Sequence, residues 1–301
     1  MKQLFKNRLL KSIWALPLAG FISIGATAEE VSITLDGLRL NGELNMALEN
    51  HNDGPMVLIV HGTLAHNGVE IVTTIQDLLA DEDVNSLSIN LSLGIDDRHG
   101  TYDCSVPHLH RHQDANNEVA AWVQWLEQRG TEQIIVVGHS RGGSQVASYS
   151  QQAANSVVGQ VLIAPMTWSP TYAAEAYESR YQQSLASVVA ITHEQQGEWM
   201  PDKTNFIYCE DAPKVSVASF LSYYEPTHTL NTPDLLLATT LPTLLIAGSE
   251  DNVVKDLPQQ MAKLELPAVE FFVIDGADHY FRDLYADEVV ESMLNLIERT
   301  Q

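Results

Sequence analysis

Ser140 lies in the run Gly138-His139-Ser140-Arg141-Gly142, and a serine hydroxyl becomes a useful nucleophile only where a neighbouring base can take its proton. Gly-x-Ser-x-Gly alone is common by chance. Its weight here comes from context, because an unbroken apolar segment, Ile134 to Val137, leads into it and a helical segment, Gly142 to Ala153, leads out. In so tight a strand-to-helix turn, the positions two before and two after the serine must lack side chains. The chain also offers a base and an acid. His279, in Asp275-Gly276-Ala277-Asp278-His279, is the candidate proton shuttle, and Asp251, in Ala247-Gly248-Ser249-Glu250-Asp251, the candidate group to orient it. Glu250 is the alternative acid, Asp278 reads as a surface carboxylate, and His139 is expected to pack within the turn. A tetrahedral intermediate further needs amide donors aimed at its oxyanion. The amide of Arg141 is one candidate. The other lies in His61-Gly62-Thr63-Leu64, with Thr63 preferred and Leu64 as the second choice.

These groups are far apart in sequence, so the fold must bring them together. Ser32 to Leu35 and Leu38 to Leu48 read as an antiparallel pair turned at Asp36-Gly37. Met56 to Val60 is wholly apolar, as suits a strand buried on both faces of a parallel sheet. From there strand and helix alternate: a helix over Val69 to Ala80, a strand over Asn85 to Leu91, a helix over Asp114 to Gln128, the segments around Ser140, and a strand over Val157 to Ala164. After a break, strands follow at Thr243 to Ala247 and Val269 to Ile274, with a helix over Asp287 to Arg299. The pattern is that of an α/β fold with a mostly parallel central sheet flanked by helices. Residues 166–240 form too long an interruption for an ordinary loop and carry ten aromatic side chains. They read as an inserted helical lid that divides the core into residues 29–165 and 241–301.

Four landmarks, namely His61-Gly62 after a buried strand, the turn at Ser140, Gly248 to Asp251 and Gly276 to His279, resemble the α/β-hydrolase superfamily over essentially the whole of residues 29–301. The order Ser, Asp, His is the one this superfamily uses. The resemblance implies a serine hydrolase acting on a small-molecule ester through an acyl-enzyme, with no cofactor. A serine nucleophile separates the chain from the similar dehalogenase and epoxide hydrolase branches, which use Asp. Thioester, peptide or amide hydrolysis and a non-catalytic binding protein of the same fold remain open alternatives.

At the amino terminus, Lys2, Lys6, Arg8 and Lys11 precede an apolar stretch from Ile13 to Ile24 and then Ala26-Thr27-Ala28. This reads as a signal peptide over residues 1–28, cut after Ala28, leaving a periplasmic or secreted protein with no membrane anchor. Its loss removes four basic and no acidic residues, moving the formal charge from −23 to −27. So acidic a chain repels nucleic acid and anionic membranes. Cys104 and Cys209, the only cysteines, are free to pair in an oxidising compartment, although nothing in the sequence says that they meet. The loop from Gly94 to Asp114 holds His99, His108, His110 and His112. That spacing raises a metal site as an alternative. The preferred reading is a wall at the pocket mouth, with Arg98 or Arg111 available to an anionic substrate group.

Overall fold

The computed structural model describes residues 27–48, 50–51, 53–225 and 230–301. All of the expected signal peptide except Thr27 and Ala28 therefore lies outside the described residues. The chain opens with β1 (Thr27–Leu35) and β2 (Leu38–Met46), an antiparallel pair turned at Asp36 and Gly37, whose φ angles are 49° and 84°. Asp tolerates this left-handed conformation and Gly adopts it freely. Then β3 (Met56–Val60), α1 (Glu70–Asp81), β4 (Asn85–Ile89), α2 (Asp114–Glu127), β5 (Ile134–His139), α3 (Arg141–Tyr149) and β6 (Val157–Ile163) alternate.

Between β6 and the next strand of the sheet lie α4 (Pro170–Tyr181), α5 (Leu185–Glu194), β7 (Thr204–Phe206), β8 (Cys209–Ala212), α6 (Val217–Tyr224) and α7 (Thr232–Leu236). The sheet resumes with β9 (Thr243–Gly248), and α8 (Leu257–Met261), β10 (Val269–Ile274) and α9 (Leu284–Thr300) complete the fold. Strand order is β1-β2-β4-β3-β5-β6-β9-β10. All pairings from β4 to β10 are parallel, and β2 joins β4 antiparallel.

The apolar runs are explained by two cores, one on each side of the sheet. Val57 and Ile59 of β3 and Ile135 and Val137 of β5 face α1 and α9. Leu58, Val60, Ile134 and Val136 face the side of α2 and α3, where Trp122 and Val146 meet them. Tyr177, Leu185, Phe206 and Phe220 from the inserted segment belong to this second core. The insert is therefore built onto the same hydrophobic cluster as the sheet.

Three of its helices begin where a serine can cap them. Ser169, Ser184 and Ser216 accept hydrogen bonds from the amides of Tyr172, Ser187 and Ser219, which satisfies donors the first helical turn leaves unpaired. The insert is not wholly helical, as its spacing suggests, because β7 and β8 form an antiparallel ribbon turned at Ile207 and Tyr208. Such short strands leave no readable alternation. Cys104 and Cys209 are joined in a disulfide that ties the β4–α2 loop to β8 across 105 residues of sequence. Among the described residues, no helix is long and apolar enough to cross a membrane.

Candidate active site

Parallel strands present their carboxyl ends on one edge, so the loops after β3, β5, β9 and β10 converge there. Ser140 stands at the turn from β5 to α3 with φ 56° and ψ −122°, a conformation costly for a residue with a Cβ. Its backbone is pinned on both sides. The Ser140 amide donates to the Ile163 carbonyl at 2.9 Å, and its carbonyl accepts from Gly143 and Met166 at 3.0 Å each. A Cβ on Gly138 would run into the backbone of Gly142, and one on Gly142 into the carbonyls of Val60 and His61. These glycines are required for close approach, since neither has a positive φ.

The three expected side chains meet. Ser140 Oγ lies 3.0 Å from His279 Nε2, and His279 Nδ1 lies 2.8 Å from Asp251 Oδ2. With Nδ1–H donating to the carboxylate, Nε2 carries the lone pair that can accept the serine proton. The other carboxylate oxygen of Asp251 accepts from the amides of Val253 and Val254 at 2.7 and 2.8 Å. Burial pushes this carboxyl up, but the hydrogen bonds from His279, Val254 and Val253 outweigh it and hold it below the usual carboxylate range. Glu250 is exposed, and Asp278 is half-buried and bridged to Arg282, so neither sits in this chain of contacts. His139 packs under the site as its position suggests, with Nε2–H donating to the His279 carbonyl at 2.8 Å.

Thr63 and Arg141 both border the cavity at Ser140, and neither amide donates to another group among the described residues. Leu64 borders neither of the two cavities that reach Ser140. The turn that carries Thr63 is braced from below. His61 Nδ1–H donates to the Gly62 carbonyl at 2.8 Å, while Nε2 accepts from the Leu91 amide at 3.1 Å and from Arg98 Nη2 at 2.9 Å.

That contact corrects the expectation for Arg98. It is buried, its Nε and Nη1 donate to the carbonyls of Leu91 and Gly100, and it lines neither of the cavities at Ser140. Arg111 is exposed and is not part of either cavity wall. The histidine loop is also placed differently from expectation. His108, His110 and His112 are buried against Tyr102, Phe206 and Tyr223 behind the pocket wall, while His99 lies apart on Glu30. Among the described residues no group of His, Cys, Asp and Glu is arranged to hold a metal ion.

Among the described residues two cavities reach Ser140. The larger, about 470 Å³, runs between the sheet edge and the insert, and the smaller, about 170 Å³, contains His279 and Tyr280. Sequence reasoning missed Arg180 and Tyr208, which line the larger one from the insert, because nothing in their local pattern says which way α4 and the ribbon face.

A serine held in a strained strand-to-helix turn, hydrogen-bonded to a histidine and through it to an aspartate, on a mostly parallel eight-stranded sheet, defines the α/β-hydrolase class. The chain belongs to the alpha/beta hydrolase family, whose profile matches residues 57–292. No curated protein sequence matches it significantly. Among solved structures it is similar to Est1E from Butyrivibrio proteoclasticus, at 19% identity and TM-score 0.63 over 91% of this chain and 99% of that one. It is likewise similar to the Pyrococcus furiosus esterase Pf2001, at 15% identity and TM-score 0.60 over 91% of this chain and 92% of the other. The E-2-(acetamidomethylene)succinate hydrolase matches at 18% identity and TM-score 0.58, over 90% of this chain and all (100%) of that one. At these identities the likeness carries the fold.

The buried imidazoles set an acid limit on this arrangement. Burial pushes His61, His110 and His112 down to about 3 and His139 to about 4, with Arg98, Arg141 and the neighbouring histidines adding repulsion. In the unfolded chain the same groups take up protons near pH 6.5, so each costs up to about 1.4 kcal/mol of stability per pH unit below that value, until its folded value is reached. Glu118, buried and hydrogen-bonded to Ser92, is raised to about 7 and acts with the opposite sign, but it is one group against four. The thermal midpoint should therefore fall steadily from pH 7 to about pH 4.5, and less steeply in His112→Gln. A midpoint independent of pH across that window contradicts the buried, uncharged placement of these rings.

Proposed function

We propose that this chain is a serine hydrolase that cleaves a carboxylic ester through an acyl-enzyme intermediate, and that it is exported through a cleaved signal peptide. The observation that carries the catalytic reading is the unbroken contact from Ser140 Oγ through His279 to Asp251, at 3.0 and 2.8 Å. His279 Nε2 takes the hydroxyl proton as Oγ attacks the ester carbonyl carbon, and the oxyanion forms against the amides of Thr63 and Arg141. The same proton then passes to the departing alkoxide. Water, deprotonated by His279, attacks the acyl carbon, and Ser140 leaves with the proton returned. Asp251 stays ionised, fixing the imidazole and stabilising its charged form. The route as written needs no cofactor.

Residues 166–240 serve as a lid in this reading, since Tyr172 and Tyr177 of α4 and Tyr208 of the ribbon turn wall the larger cavity. The ester assignment is consistent with the name of its fold neighbour from Pyrococcus furiosus, an esterase. For export, the support is the basic and apolar amino-terminal pattern together with a disulfide, a bond that lasts in oxidising compartments. A cut after Ala28 would remove only the first two residues of β1.

With 4-nitrophenyl acetate the wild-type protein should show a burst of nitrophenol followed by steady turnover; Ser140→Ala should lower kcat by about a millionfold and Asp251→Asn by about ten-thousandfold. Turnover retained in Ser140→Ala would remove Ser140 as the nucleophile. Amino-terminal sequencing of the protein recovered outside the cytoplasm should read from Glu29; a sequence that starts at Met1 contradicts cleavage.

A further inference from the structure

The larger cavity departs from the charge of the rest of the molecule. The chain holds 39 Asp and Glu against 16 Lys and Arg, yet the wall of this cavity contains two arginines, Arg141 and Arg180, and no carboxylate. Elsewhere Arg39, Arg282 and Arg299 are paired with Asp or Glu. Among the described residues no carboxylate oxygen lies within 4.0 Å of the guanidinium of Arg141 or Arg180. Arg141 is half-buried. Its Nε donates to Thr63 Oγ1 at 3.1 Å, Nη1 lies 3.5 Å from His112 Nδ1, and the guanidinium stands 5.0 Å from the centre of the Tyr223 ring. His112 is held neutral by burial, so it supplies an acceptor without a counter-charge.

Three tyrosines of the wall have their hydroxyl protons already engaged, and none of the wall's tyrosines carries positive charge. The hydroxyls of Tyr172, Tyr177 and Tyr181 donate to the carbonyls of Val253, Asn205 and Ile207. The guanidiniums are left as the cationic donors of the cavity. Arg180 is exposed and stacked 4.4 Å from the centre of the Tyr208 ring, nearer solvent than Arg141. A partly desolvated guanidinium without a counter-ion is costly, and a planar carboxylate matches its fork geometry.

The two cavities also divide the substrate. His279 must hand its proton to the departing oxygen, and it lines the smaller cavity and not the larger. The leaving alcohol therefore belongs to the smaller space and the acyl half to the larger one, beside Arg141. Resting on the serine hydrolase reading above, we infer that the substrate is an ester whose acyl half carries a negative charge, bound by Arg141 and drawn in by Arg180. In so acidic a chain these arginines give an anion a favourable way in.

A matched pair of esters tests this: monomethyl terephthalate, with a free carboxylate, against methyl 4-methylbenzoate, which has a methyl group in its place. Arg141 also braces Thr63, so its replacement slows both esters, and the ratio of their kcat/KM values isolates the charge. Wild type should favour the charged ester. In Arg141→Gln that ratio should fall by about tenfold, the loss expected for a hydrogen bond to a charged group, while Arg141→Lys keeps most of it. Salt should narrow the wild-type ratio, and less so in Arg180→Gln. A ratio near one in wild type, or one unmoved in Arg141→Gln, overturns the anion site. If the neutral ester is then still hydrolysed and Ser140→Ala abolishes it, the hydrolase reading stands without that site; no turnover of the charged ester by a wild type that still hydrolyses 4-nitrophenyl acetate overturns the anion site alone, and no turnover of any of the three esters overturns both.

Discussion

Backbone meets backbone where β3 and β5 end, and the positions of the reacting groups follow from that contact. Gly138, Gly142 and the carbonyls of Val60 and His61 approach too closely for any Cβ between them. The turn at Ser140 is thereby pressed against the loop that bears Thr63, and the Ser140 side chain is left above the sheet in a conformation its residue type disfavours. A similar crowding recurs at the other end of the site. A Cβ on Gly248 would run into the Ala277 carbonyl, so the end of β9 and the turn after β10 also touch through backbone. Asp251 and His279 come three residues after Gly248 and two after Ala277, which leaves little slack in their separation.

Around these backbone contacts lie two buried imidazoles that are hydrogen-bonded without being charged. His61 spans from the Gly62 carbonyl to Arg98, and His139 holds the His279 carbonyl. Neutral rings suit this place because each offers a donor and an acceptor, and a protonated ring would face Arg98 or His279 in a low-dielectric interior. The cost of the design is narrow tolerance of acid. The disulfide and the aromatic nest of His110, Phe206 and Tyr223 join the β4–α2 loop to the insert, so the cavity wall is anchored on both sides.

The parts legible in sequence are those governed by local rules. Apolar runs marked β3, β5, β6 and β9, glycines marked the turn at Ser140, and short loops after strands marked Asp251 and His279. The parts that escaped depend on contacts between distant segments. Arg98 reads as a free cation because its partner His61 lies 37 residues away in sequence. The histidines of residues 108–112 read as a wall at the pocket mouth or a metal-binding loop because Phe206 and Tyr223, which bury them, come about a hundred residues later. Nor does a local pattern foretell the β7–β8 ribbon or the Cys104–Cys209 bond. Arg141 is visible in sequence beside Ser140, but only the three-dimensional wall shows its side chain next to a cavity without carboxylates.

The central claim is that one strained serine is activated by His279. Reaction with a fluorophosphonate, followed by intact mass and peptide mapping, addresses it most directly. The account predicts a single adduct, located on Ser140, that forms far more slowly in His279→Gln. An adduct on another residue, or labelling of Ser140 at the same rate without His279, would contradict it.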